Sequence, residues 1–349
     1  SISTDGGQTW RAIADKVGGM GCILSFLDAE TGLFGFGNKF QMTADGGATW
    51  NTTGLSFTVG QKARVNRLLM DPNSAYQTIY AATTAGVYKT TDGGTNWTLL
   101  SGSPALIDME FEPNNYSTIY GSTEGWGTNY IYRTTNSGTS WSSVASFGSS
   151  RRVELAVSYN QPTWVYAVVA NTSGGMQGVY RSTSSGSSGS FSQVLNGSTN
   201  GNYLLNWSCG GTGSNNGQGS YDLTIAADPT NANVVFVGGV NTWKSTDGGS
   251  TWNINNHWTN SYGCGVQEVH ADKHYLGFQN GTSILFEGND GGIYKSSNLG
   301  ETWDDLSNGL IISQFYRLGV SQSQLQDVIG GLQDNGTKSL NLGTWNDVI

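Results

Sequence analysis

The chain has 349 residues and a formal net charge of −9, and its 16 Lys and Arg are too few for the basic footprint that nucleic acid or an anionic membrane surface demands. Aromatic residues make up 11% of it, which excludes a disordered chain despite 51 Gly. No run approaches the roughly 18 apolar residues needed to span a bilayer.

The chain opens on an eight-residue phrase, Ser3-Thr4-Asp5-Gly6-Gly7-Gln8-Thr9-Trp10, which returns at Thr43 to Trp50, Thr90 to Trp97 and Ser245 to Trp252. Thr134 to Trp141 and Ser296 to Trp303 carry Asn in place of the Asp, and Ser182 to Gly186 is a decayed copy with Phe191 in the Trp role. The key positions are Asp5, Asp45, Asp92, Asn136, Ser184, Asp247 and Asn298, in steps of 40 to 63 residues. A period of roughly 40–50 residues is the mark of propeller blades. Each phrase is chemically self-sufficient. Its Asp or Asn accepts backbone N–H bonds, its Gly residues take positive φ, its hydroxyls tie down the rest, and its Trp wedges against a neighbour. The Asp residues therefore read as structural rather than catalytic.

Between phrases the chain repeats a grammar of short apolar strands. Arg64 to Pro72, Thr78 to Thr83, Gly86 to Thr90 and Asn96 to Leu100 are strand-length segments separated by turn residues. No stretch sustains a 3.6-residue period. Four strands per repeat, running outward from a channel with the phrase at the third turn, predict an all-β propeller of four-stranded antiparallel blades. The count is seven full blades plus a half blade from Ser1 to Trp10. The last full blade is built from Phe315 to Val320, Val328 to Leu332 and Ser339 to Trp345. An open ring would leave strand edges exposed. The expectation is a seven- or eight-bladed ring, or part of a longer array, with residues 1–349 forming one domain of a larger processed chain.

Antiparallel order crowds the phrases onto one rim and sends the long crossovers to the opposite face. Asn196 to Ser220 and Asn253 to Gly265 carry Tyr203, Trp207, Trp258 and Tyr262 there, and Trp126 joins them as a candidate ligand-binding residue. Cys209 and Cys264 lie in the same two crossovers, adjacent in blade order, and can form one bridge in an oxidising compartment. Cys22, in an apolar run, reads as a buried free thiol.

All three His residues fall between 257 and 274. A period of two along His270-Ala271-Asp272-Lys273-His274 points His270, Asp272 and His274 to one side, where they could take a divalent metal or form a hydrogen-bonded polar cluster. No other cofactor is expected. The carboxylates expected near this face are Asp272, Glu287, Asp290 and Asp334. If the chain is an inverting glycosidase, which needs an acid and a base roughly 6.5–9.5 Å apart, Asp290 and Asp334 are the pair. The plainer reading is that both order Gly-rich turns. The eight Arg residues mostly fall at strand positions or beside the phrases, on the rim away from this face. Ser/His/Asp, P-loop and dinucleotide motifs are absent.

The phrase S-x-D-x-G-x-T-W resembles the Asp-box, or bacterial neuraminidase repeat, of sialidases, sortilin-type propellers and xyloglucanase-type glycoside hydrolases, and the resemblance covers nearly the whole chain. The setting of Asp290 in Asn289-Asp290-Gly291-Gly292-Ile293-Tyr294 resembles that of a catalytic Asp in xyloglucanase-type enzymes, one intervening residue short. The segment His270 to Trp345 resembles a sortilin-like branch of secreted bacterial Asp-box proteins. A sialidase would imply an Arg-Ile-Pro motif, and none occurs. Because the box serves both enzymes and binding proteins, the resemblance implies a secreted or cell-surface propeller that binds glycan or protein without catalysis. The alternative is a xyloglucanase-like inverting glycoside hydrolase. Further blades or domains of the same chain are expected partners; nucleic acid and a membrane span are not. Eight N-x-S/T sequons, Asn206-Trp207-Ser208 among them, also leave a eukaryotic secretory origin open.

Overall fold

β-branched and aromatic runs punctuated by Gly, Asn and Ser turns give strands throughout. The computed structural model describes residues 3, 5, 8–10, 23–26, 32–36, 39–57, 63–75, 77–310, 315–320, 328–333, 336–341 and 344–347. Among them there is no α-helix, and hence none long and apolar enough to cross a membrane. The first sheet is the meander β1 (Ile23–Phe26), β2 (Gly32–Phe36), β3 (Lys39–Thr43) and β4 (Asn51–Ser56). The second is β5 (Val65–Met70), β6 (Ile79–Thr83), β7 (Gly86–Thr90) and β8 (Thr98–Leu99).

The next two repeats are continuous. β9 (Asp108–Glu112), β10 (Asn115–Ser122), β11 (Glu124–Thr134), β12 (Ser142–Ser158), β13 (Gln161–Asn171), β14 (Met176–Ser182) and β15 (Ser192–Asn196) form one seven-stranded sheet. The 17-residue β12 is shared. Its first half pairs with β11 and its second half with β13, so it is the last strand of one repeat and the first of the next. β16 (Thr224–Asp228), β17 (Asn231–Gly238), β18 (Thr242–Ser245) and β19 (Asn253–His257) follow, with the short β20 (Gln267–Glu268) added parallel to β19. Two further meanders are β21 (Lys273–Phe278), β22 (Leu285–Asn289), β23 (Gly292–Ser296) and β24 (Asp304–Asp305), then β25 (Phe315–Val320), β26 (Val328–Leu332), β27 (Thr337–Asn341) and β28 (Thr344–Asp347).

The first strand of each repeat lies innermost, and these strands neighbour one another in chain order: β1 on β5, β5 on β9, β9 on β12, β12 on β16 and β16 on β21. The core lies between successive repeats. Each interface layer takes apolar residues from two successive repeats plus the aromatic that ends the second repeat's phrase. Trp97, Trp141, Phe191, Trp252 and Trp303 fill this wedge position in five successive layers. Phe191 thus occupies the Trp position that its decayed phrase implies. A further contact extends the series, because Trp10 Nε1 donates to Leu306 O at 2.7 Å, just past β24.

The phrases themselves are turns closed by their own side chains. In the clearest, Asp247 Oδ1 accepts from Thr251 N at 2.9 Å and Ser245 Oγ at 2.8 Å, while Oδ2 accepts from Thr251 Oγ1 at 2.7 Å. Asp45, Asp92 and Asp5 repeat the pattern. Asn136 and Asn298 keep it by donating Nδ2 to Ser140 Oγ and Thr302 Oγ1, each at 2.9 Å. These hydrogen bonds favour the ionised carboxylate and hold Asp5, Asp45 and Asp92 down at about 2.

Candidate functional site

Three successive inner strands carry charge at alternate positions: Arg67 on β5, Asp108 and Glu110 on β9, and Arg152 and Glu154 on β12. Arg67 Nε lies 3.3 Å from Asp108 Oδ1, its NH2 meets Glu110 Oε1, and Arg152 Nε donates to Glu154 Oε1 at 2.7 Å. Asp108 also accepts from Met109 N and Leu155 N, both at 2.9 Å. Burial dominates over the guanidinium partners and raises Glu110 to about 7 and Glu154 to about 8. This arc is one wall of a cavity of about 300 Å³ whose other walls include Thr224 and Ala226 from β16 and His274, Tyr275 and Leu276 from β21. Sequence reasoning missed it, and its placement of the arginines is corrected for this pair: Arg67 lines the cavity and Arg152, on the inner strand β12, holds the lining Glu154. The available signal was the period-two charge in the neighbouring first strands β9 and β12, beside the lone Arg67 of β5.

The two long crossovers meet as expected through a disulfide. Cys209 is bonded to Cys264, with Cα atoms 5.6 Å apart. Beside the bridge the buried His257 sets its Nε2 2.9 Å from Trp207 O, and its Nδ1 accepts from Thr259 N at 3.2 Å. The His257 ring lies 5.3 Å from Tyr262 and 6.1 Å from Trp258, and Trp258 lies 6.0 Å from Tyr262. Tyr262 is 56% exposed and Trp207 40%. Of the five aromatic candidates, the structure therefore packs the rings of Trp258 and Tyr262 together around His257, and Trp207 joins them through its backbone carbonyl. Tyr203 is half-buried inside its own crossover, where its N–H donates to Gly211 O. Trp126 is strongly exposed beneath the Arg151 guanidinium, 4.8 Å from its ring centroid. Asn206 is buried, with Nδ2 donating to Thr212 O at 2.8 Å, so this sequon asparagine is engaged.

Asp290 sits in a small closed cluster. Tyr221 Oη donates to its Oδ2 at 2.9 Å, His274 Nε2 lies 2.7 Å from its Oδ1, and the Tyr221 and His274 rings meet edge to face at 4.7 Å. Burial would raise the carboxyl, but the bonds from His274 and Tyr221 outweigh it and hold Asp290 below the usual carboxylate range. Its partner in the sequence-based pair, Asp334, lies outside the described residues, as does Cys22.

The alternation assumed for His270, Asp272 and His274 does not hold. β21 begins only at Lys273, and Asp272 takes a left-handed φ of 63°, so the three side chains diverge. Asp272 accepts from Gln218 Nε2 at 2.9 Å, His274 turns to Asp290, and the His270 ring lies over Gly291, where an added Cβ would stand 2.3 Å away. Among the described residues, the group of three potential ligands close enough to share an ion is Cys209, His257 and Cys264, whose sulfurs are already bonded to each other.

Two acids are buried behind this face. Glu287 accepts from Thr242 Oγ1 at 2.7 Å and Asn256 Nδ2 at 2.9 Å, with Lys273 Nζ 3.7 Å away. Lys273 is fully buried and donates to Val240 O, Val269 O and His270 O, tying β21 to the preceding repeat. Asp222, fully buried, is raised to about 8 by that burial and then by the nearby Asp272.

No protein-family model matches the chain, and no curated protein does either. Solved structures do. It is similar to the GH74 xyloglucanase from Xanthomonas campestris at TM-score 0.63 and 16% identity, covering 89% of this chain and 50% of that one. It is also similar to YCF48 bound to D1 peptide at TM-score 0.55 and 17% identity, covering 91% of both chains. The fold is a β-propeller. A third likeness, to an ancestral GH74 enzyme, has TM-score 0.52 and 15% identity and covers 97% of this chain and 55% of that one. The propeller thus spans about half the length of the GH74 enzymes it resembles and nearly the whole of YCF48. At such identities the likeness carries the fold and not the activity.

Proposed function

We propose that this propeller is a secreted or cell-surface binding module that holds a glycan or peptide on its crossover face without catalysis. The observation that carries this reading is the aromatic pair of Trp258 and Tyr262, clamped by Cys209–Cys264 and braced by His257, which also holds the backbone carbonyl of the partly exposed Trp207. Rigid, partly exposed aromatics lose little entropy on binding and offer flat apolar faces to sugar rings or side chains. The disulfide suits an oxidising compartment. The repeated phrases act as Asp-boxes, seven blades and a half blade make up the array, and residues 1–349 form one domain of it. The placement of Trp10 beside Leu306, parallel to that of Trp303 beside Asn255, supports the N-terminal half blade as the sixth full blade's neighbour.

The chemistry around Asp290 supports binding over hydrolysis. An inverting glycosidase needs one accessible carboxyl that keeps its proton. Asp290 is held ionised by two partners, Asp222 is fully buried, and the raised carboxyls of the neighbouring cavity, Glu110 and Glu154, are recessed against Arg67 and Arg152 at 20% and 13% exposure. The hydrolase remains the second reading because two of the similar structures are GH74 enzymes. Binding to panels of plant and microbial glycans and of peptides, with reducing ends measured in the same samples, separates the two. Saturable binding that Tyr262→Ala weakens, without released ends, supports the binding module. Ends released by the wild type and lost in Asp290→Asn overturn it.

A further inference from the structure

The charged wall of the channel differs in kind from the aromatic group on the crossovers. What matters for recognition is which groups reach the cavity. The Arg67 side chain is 37% exposed, against 4% for Asp108, 20% for Glu110 and 13% for Glu154. Across the cavity His274 is 38% exposed, and the inner-wall tyrosines Tyr275 and Tyr159 are 52% and 43% exposed. The projecting groups are therefore a guanidinium and two phenols, all able to donate, beside an imidazole whose Nε2 is already committed to Asp290, while the carboxyls are recessed behind them and already held. His274 is further oriented by Asp290 through Nε2, and its Nδ1 makes no hydrogen bond among the described residues. Thr224 and Ala226, both small, leave room on the β16 side.

We infer that the channel is a subsite for a carboxylate-bearing sugar, a hexuronate residue of an acidic glycan, with its carboxylate on Arg67 and its ring against Tyr275. With Nε on Asp108 and one Nη2 hydrogen on Glu110, the end of the planar guanidinium presents Nη1 and the second Nη2 hydrogen, an edge that matches a carboxylate in two parallel N–H···O bonds, and a phenol ring offers the apolar face that one side of a sugar binds. This deepens the glycan arm of the binding reading and rests on it. The groups facing Arg67 set a pH dependence. They are Asp108, Glu110, Arg152, Glu154, Tyr159, His274 and Tyr275, with the Arg64–Glu124 pair near the rim and Asp290 behind His274. As Glu110 and Glu154 give up their protons around 7 and 8, two negative charges are added beside the arginines, and a bound carboxylate is repelled.

The test is calorimetric titration with oligogalacturonate, its methyl ester and an oligoglutamate peptide at about pH 6 and about pH 9. The acid should bind about tenfold more tightly than the ester at the lower pH, lose that preference at the higher pH, and lose it also in Arg67→Gln. Tyr275→Ala, an exposed change that spares the ion pairs, should weaken acid and ester alike and guards against a misfolded Arg67 variant. Equal affinity for acid and ester, or an acid preference that survives Arg67→Gln in a folded protein, overturns the inference. Peptide binding with the same Arg67 dependence overturns the sugar assignment. If neutral glycans bind through Tyr262 while no acid preference appears, this inference fails alone; if no glycan binds, the glycan reading fails with it.

Discussion

His274 Nε2 lies 2.7 Å from Asp290 Oδ1, and Tyr221 closes the other oxygen of the same carboxylate at 2.9 Å. The acid that the sequence singles out for possible catalysis thus ties Tyr221, just past the 196–220 crossover, to β21. Asp290→Ala should cost about 1–2 kcal/mol of stability through the lost hydrogen bonds, and Asp290→Asn less. Urea denaturation of the two variants checks this; an unchanged midpoint for the alanine variant would show that the cluster contributes nothing to holding the crossover.

The Cys209–Cys264 bridge makes a second prediction. Alkylation without reductant should label at most one thiol of the three, Cys22. Reduction should lower stability by about 2–4 kcal/mol. It should also weaken any ligand that depends on Trp258 and Tyr262, because the two crossovers are then free to part. The same affinity with and without reductant would separate the aromatic group from the bridge.

The repeated phrases predict acid behaviour. Asp5, Asp45 and Asp92 sit at about 2 in the folded chain against an ordinary 3.8. Their stabilising contribution is therefore complete above the unfolded value and is lost as pH falls through about 2. Asp247→Ala should cost about 1–2 kcal/mol, since it removes the acceptors for Ser245 and Thr251. Asp247→Asn should be milder because the Thr251 hydroxyl can turn and accept, as the Ser140 hydroxyl does from Asn136. Thermal melts of both variants at neutral and acid pH test the ordering.

The channel acids work in the opposite sense. Glu110 and Glu154 keep their protons to about 7 and 8, whereas the unfolded chain releases them near 4.5. Between those values the folded state binds more protons, so this part of the stability is full below the unfolded value and drains as pH rises through 7 and 8. Glu154→Gln should flatten the decline between about pH 4.5 and about pH 8. A stability profile across that window that is identical in wild type and variant would contradict the burial account.

The propeller was legible because its phrase is local: Asp247, its hydroxyl partners and its glycines lie within one turn, so spacing alone displays them. The Cys209–Cys264 bridge could be foreseen because blade order fixes which crossovers are neighbours. The charged arc of Arg67, Glu110 and Glu154 was not read, since each member is unremarkable on its own strand and only the side-by-side packing of β5, β9 and β12 assembles it. The His270 cluster failed for a backbone reason, as the left-handed Asp272 breaks the alternation that would have gathered the three side chains. The sharing of β12 by two repeats was hidden too, because Gly148-Ser149-Ser150 reads as a turn between its halves, and Ser149 does take a left-handed φ of 52° without ending the strand.

The central claim is that the crossover face binds and does not cut. The most direct measurement is one incubation with the glycan and peptide panels in which bound ligand and released reducing ends are both counted. Saturable binding by the wild type, lowered about tenfold in Trp258→Ala and Tyr262→Ala with no ends released, is the predicted result. Reducing ends produced by the wild type and abolished by Asp290→Asn would contradict it.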